Sequence, residues 1–283
     1  VPAGSDVRLP GLPLVFALLL AFSGEASASD YRPPGLEGKW SRRHLTAPIN
    51  SLRMIAGPGQ PMLFGGRFAE QIADGGVQFI RDTSGTRQWW VRGGVGFGLT
   101  ADWEAGALFL PFRLSPDFDF SNITVFVTRG FRFKDWDLGL RLSFQTPRKD
   151  SYDLRVWVLN PGIPVLYRLG AVRLDGALLV PFATRDWSVG LNLPARATLN
   201  LDANVFLGIE TGFAEPRFDL AGDTTIPLGG LLGYTALFGS RVIDFTAVFS
   251  WDSFWLPVAP EGGKLELGAY RVGFGVVLHS LVR

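Results

Sequence analysis

The chain has 283 residues and a net charge of +1, which gives it no electrostatic footprint for nucleic acid. Charged residues are 19%, below the ~25% of soluble domains, glycine (35) and phenylalanine (23) are abundant, and mean hydropathy is +0.20, which is apolar for a water-soluble protein. There is no cysteine, so disulfides and thiolate metal sites are excluded, and two histidines, His44 and His279, make no metal cluster. No metal and no cofactor is expected.

Residues 1–28 read as a signal peptide. Arg8 is a sparse basic region, "GLPLVFALLLAF" (11–22) is an apolar core of the right length, and Ala26-Ser27-Ala28 supplies the small residues a signal peptidase needs. Residues 29–74 are polar and rich in turn formers, with an apolar patch at Met62-Leu63-Phe64. This stretch is expected to be a periplasmic or lumen-tucked lead-in.

From residue 75 to 283 the hydrophobic period is two. In "WWVRGGVGFGL" (89–99), Trp89, Val91, Val95, Phe97 and Leu99 share one parity, and Arg92 lies among glycines on the other. The same alternation recurs in 136–145, 186–201, 204–213, 241–252 and from Tyr270 onward. An extended strand sends such residues to opposite faces, so each segment has one apolar and one polar face. Twelve strands are expected, at 75–82, 88–99, 103–113, 121–133, 136–145, 152–168, 171–182, 186–200, 203–213, 225–238, 241–254 and 264–282. Their links alternate between short ("TADW", "KDW", "GA", "LDA", "GS") and mostly longer, more polar ones ("SPDFDF", "PRKDS", "TRD", "AEPRFDLAGDTT", "FWLPVAPEGG"). An even strand count with short turns on one side and longer loops on the other is the pattern of an up-and-down antiparallel transmembrane β-barrel. A soluble sandwich has no use for twelve apolar faces. The fold class expected is therefore all-β, an outer-membrane barrel of about 12 strands.

Two groups of candidate residues follow from parity and position. The first is an interfacial aromatic girdle of Trp89, Trp103, Trp136, Trp187 and Trp251 near the strand ends. The second is a lumen lining of Arg92, Glu104, Asp137, Arg141, Arg155, Arg173, Asp175, Arg196, Glu210, Asp244 and Arg271, joined by Asp153. Inward glycines, among them Gly94, Gly96, Gly208, Gly212 and Gly273, are expected to leave space in that lumen. One residue breaks the rule: Arg129 sits on the apolar parity of its strand.

The passage "GVGFGLTADWEAGALFLP" (94–111) resembles the strand–turn–strand unit of Gram-negative outer-membrane β-barrel proteins, and it is similar to outer-membrane channel and transporter families in its glycine-rich strand, "LT-x-W" turn and "E-x-G" strand. "DANVFLGIETG" (202–212) is a second near-motif, and the remaining likeness over 75–283 is one of pattern. The resemblance implies an outer-membrane location, lipid and the barrel-assembly machinery as partners, and passive diffusion of small solutes. It leaves oligomeric state and solute open. A structural or adhesin-like barrel with partner-binding loops is the alternative. A lipid-processing enzyme is weaker, because adjacent His279 and Ser280 point to opposite faces of a strand. No catalytic residue is assigned.

Overall fold

The computed structural model describes residues 52–55, 62–65, 70–98, 103–120, 123–132, 136–149, 155–169, 172–184, 187–201, 204–215, 224–238, 241–257 and 263–281. The expected signal peptide and most of the lead-in lie outside the described residues. Alternating apolar and polar residues form strands at every expected place, and twelve long ones build the wall. They are β1 (Glu70–Arg81), β2 (Arg87–Gly98), β3 (Trp103–Ser115), β4 (Ile123–Arg132), β5 (Trp136–Lys149), β6 (Arg155–Leu169), β7 (Val172–Leu179), β8 (Leu191–Asn200), β9 (Val205–Glu215), β10 (Ile226–Phe238), β11 (Arg241–Leu256) and β12 (Tyr270–Leu281).

Each strand pairs antiparallel with its sequence neighbours. The last strand pairs with the first, from Tyr270↔Arg81 to Leu281↔Glu70, so the sheet closes and leaves no long edge. At ~4.8 Å between strands tilted ~40°, twelve strands enclose a cylinder roughly 24 Å across from backbone to backbone.

Three strand starts differ from the sequence expectation by five or six residues; β12 starts at Tyr270 rather than 264, with Lys264–Leu265 pairing separately with β11. β1 starts at Glu70, five residues earlier than 75, because the ladder with β12 continues through Ala73↔Leu278 and Gln71↔Ser280. β8 starts at Leu191 rather than 186. Trp187 takes a positive φ of 55°, which is left-handed geometry outside the β region, and that ends the extended run.

The apolar parity faces outward. Val77, Val125, Phe144, Ile163, Leu174, Leu193, Leu207, Ile209, Leu232, Phe245, Phe274 and Val276 are all exposed, spread around the whole cylinder. A soluble protein does not expose a continuous apolar band of this kind, whereas hydrocarbon accepts it. The opposite parity carries the buried residues, including Thr128, Asp137, Arg141, Arg173, Asp175, Arg196, Glu210, Thr235 and Asp244.

A separate hairpin, Leu52–Ile55 paired with Met62–Gly65, adds two short strands that do not join the barrel sheet. Its first strand runs beside β6, β7 and β8. The outer side chains of those three strands, Ile163, Leu174, Leu178, Leu193 and Leu199, stay exposed, so the hairpin does not cover the wall from outside.

Candidate functional site

The register of β7, β8 and β9 brings the polar parity into one belt. Asp175 stands opposite Arg196, and Arg196 opposite Glu210, so charges alternate across three strands. Arg173 Nε donates to both carboxylate oxygens of Asp175 at 2.8 Å, with the arginine fully buried. Arg196 and Glu210 form a second ion pair, their side chains 5% and 7% exposed. Removing ions from water costs several kcal/mol each, and only close, well-hydrogen-bonded partners offset that cost. Asp175 supplies the partner of Arg173 along β7, and Glu210 supplies that of Arg196 across β8 and β9.

Around the same wall, Asp137 and Arg141 on β5 are also buried, and the Arg141 guanidinium lies 3.9 Å from the centre of the Phe126 ring on β4. Asp244 accepts a hydrogen bond from Thr235 Oγ1 at 2.6 Å. Arg271 donates to Asp252, which also accepts from Ser250. Sequence reading did not select Asp252, Thr235, Thr128 or Thr198 for the lining; all four lie on the polar parity, which was the available signal. Glu215 was missed for a different reason. It occupies the outward parity at the end of β9, yet it is buried and accepts a hydrogen bond from Thr224 Oγ1, just before β10.

Arg155 opens β6 opposite Lys149, and its side chain lies outside the described residues. The bulge that shifts this register lies in β5, between Gln145 and Arg148, so β6 keeps one parity throughout. The side chains of Arg92 and Glu104, the whole of Asp153 and the His279 side chain lie outside the described residues.

Several inward glycines are covered by large side chains rather than open. Phe206 stands opposite Gly233, Phe126 opposite Gly106, Leu231 opposite Gly208 and Leu179 opposite Gly162. In each pair the large side chain lies over the glycine, where a Cβ would collide with it. A residue that would project toward the barrel axis is thus laid flat along the wall. Gly212 is held instead by backbone, with Leu193 O 2.8 Å from where its Cβ would sit.

Of the aromatic candidates, Trp89, Trp103 and Trp136 lie near strand ends, and Trp251 lies five residues before the end of β11. Trp89 meets Phe79 edge to face, Trp136 at the start of β5 tilts against Tyr167, and Trp251 meets Phe249 edge to face. Trp103 opens β3. Trp187 lies off the strands, in the β7–β8 connection, and is 57% exposed.

A closed antiparallel barrel with an apolar exterior and an ionic interior is the architecture of an outer-membrane β-barrel protein. Comparison with solved structures gives the same fold. An outer-membrane channel from Pseudomonas putida F1 superposes with a TM-score of 0.51 at 12% identity, covering 76% of this chain and 97% of that one. The NanC porin matches with a TM-score of 0.49 at 10% identity, over 75% of this chain and 100% of that one. A monoaromatic hydrocarbon channel, CymD, matches with a TM-score of 0.44 at 7% identity, over 77% and 90%. No protein-family model and no curated protein matches the sequence.

Proposed function

We propose that this protein is an outer-membrane channel for passive diffusion of small solutes, and that the 52–65 hairpin occupies its lumen. The observation that carries the reading is a charged wall inside a closed barrel of twelve strands. A barrel that only had to be stable could fill its interior with apolar residues at no desolvation cost. Charges of both signs lining a lumen provide a polar path with weak ion preference.

The hairpin follows from two facts about one wall. It runs beside β6–β8, and the outer face of those strands remains open. The inner face is the one left, and it carries the Arg173–Asp175 pair with near-zero exposure. The reading includes lipid and the barrel-assembly machinery as partners and no enzymatic activity.

The chain contains no cysteine, which makes a direct test simple. Thr198→Cys places one thiol on the inner face of β8, opposite Arg173. The full-length variant in planar bilayers should conduct in steps, and a membrane-impermeant thiol reagent should reduce its conductance. Removal of residues 29–69 should raise both the open fraction and the labelling rate. A folded, inserted protein that stays silent with and without that segment belongs to the structural-barrel alternative.

A further inference from the structure

The β1–β2 hairpin sorts its charges by face. Arg81 ends β1 and Arg87 begins β2, and the two stand directly opposite each other on the outward parity. Asp82 N donates to Thr86 O in the connecting loop, so Arg81 and Arg87 form the non-hydrogen-bonded pair next to it, the kind whose side chains stand closest. Like charges placed in this way destabilise a strand pair. The carboxylate of the loop does not relieve them. Asp82 lies on the lumen parity and accepts hydrogen bonds from Ser84 N and Oγ, Thr86 N and Gln88 Nε2. Both arginines are exposed, and among the described residues neither forms an ion pair or a hydrogen bond.

The level in the wall limits which anion meets them. Two residues nearer the membrane centre on the same parity, Phe79 and Trp89 meet edge to face at 5.2 Å, and Trp89 is half exposed. Tyr270, opposite Arg81 on β12, lies 6.1 Å from Phe79. These rings belong to the aromatic belt at the long-loop end. Two residues of a tilted strand span roughly 5 Å along the membrane normal, so the arginines stand just beyond that belt, where headgroups begin. The Arg81 guanidinium turns toward the loop, its Nη2 4.0 Å from the position of a Cβ on Gly85. Two planar forks of N–H donors match the oxygens of a phosphate. Two positive charges match a phosphate monoester, which carries about −1.5 to −2 at pH 7. The rings beneath offer an apolar surface to the acyl chains of a lipid that bears such a group.

We propose that Arg81 and Arg87 together bind the phosphate monoester of a lipid headgroup in the leaflet at the long-loop side. The site lies on the outer wall of the barrel and is independent of conduction.

The test is native mass spectrometry of the full-length protein with added diphosphoryl lipid A, a glycolipid bearing phosphate monoesters, and with the same lipid stripped of its phosphates. The folded state is checked by the gel shift of a heat-sensitive barrel. Wild type should retain the phosphorylated lipid in preference to the stripped one. Arg81→Gln and Arg87→Gln should each lower that retention about tenfold, the loss expected of one charge-assisted contact. The double Gln variant should no longer distinguish the two lipids. Lysine at both positions, which keeps the charges and loses the forks, should fall between. In lipid-free detergent the double Gln variant should melt above wild type, because the repulsion is gone, and the phosphorylated lipid should raise the Tm of wild type alone. An equal preference for the phosphorylated lipid in folded wild type and double Gln variant would overturn the site, as would a wild-type Tm that this lipid leaves unchanged. Full displacement by an equal concentration of inorganic phosphate would overturn the lipid as its source.

Discussion

Strand β10 offers a test of the wall in which the same mutation is made on its two faces. Gly230 and Gly233 lie three residues apart on opposite parities. At Gly233 a new methyl would fall within the Phe206 ring, which is 2% exposed and has little room to retreat. Forcing extra volume into such a contact costs about 1–3 kcal/mol, or roughly 5- to 150-fold in the folding equilibrium. At Gly230 the nearest atom to a new methyl is Gly208 O at 3.8 Å, an ordinary contact on the lipid side. There Gly→Ala should be neutral or should stabilise by about 0.4–1 kcal/mol through the unfolded state. Reversible urea unfolding in lipid vesicles, followed by the fluorescence of the nine tryptophans, measures both. Combining Phe206→Ala with Gly233→Ala should cost less than the sum of the two, because the methyl occupies part of the space the ring leaves. Equal effects of Gly230→Ala and Gly233→Ala, or strict additivity in the double variant, would refute the assignment of faces and the covering of glycine by phenylalanine.

Depth in the membrane should be readable in the same assay. Leu232 is six residues from either end of β10 and 52% exposed, so Leu232→Lys should cost about 2–4 kcal/mol, while Leu201→Lys beyond the end of β8 should cost at most about 1; similar costs at the two sites would exclude a membrane-spanning band. Arg173→Met strands the Asp175 carboxylate in the lumen wall and should destabilise by about 3–5 kcal/mol, whereas Arg173→Met with Asp175→Leu should recover most of the loss. A double variant as unstable as the single one would show that the pair is not the source of the cost. In the β1–β2 loop, the Ser84 hydroxyl, aided by the Thr86 and Ser84 amides and Gln88, holds the Asp82 carboxyl below its ordinary 3.8. A depressed carboxyl pKa stabilises the fold above the unfolded value, and that contribution is lost as pH falls through the folded one. Amide exchange at Ser84 and Thr86 should therefore quicken only below about pH 4, and Asp82→Ala should abolish the pH step; a step that survives the substitution would point to another group.

Most of the fold was legible because a strand in a membrane barrel makes few demands beyond its own period. Each wall residue faces either lipid or lumen, so alternation in "WWVRGGVGFGL" or in 136–145 determined the strand, its two faces and the solvent of each. Strand number, antiparallel order and the sides of the short turns followed from the same pattern and from link lengths. Pairing across strands lies beyond that information. Nothing local tells Arg196 that its neighbour is Glu210, or Phe206 that it covers Gly233; register sets both, and register belongs to the closed sheet. Parity also misleads wherever the chain stops being a simple strand. A positive φ took Trp187 off the wall, and Glu215, on the lipid parity, is buried with a hydrogen bond from Thr224. The sequence by itself determined which solvent each face meets, because that depends only on the residue and its period. Which charges neutralise one another, which glycines are covered and where the 52–65 hairpin lies were decided by the tertiary structure, because each is a distance between segments that the chain brings together only on closing the barrel.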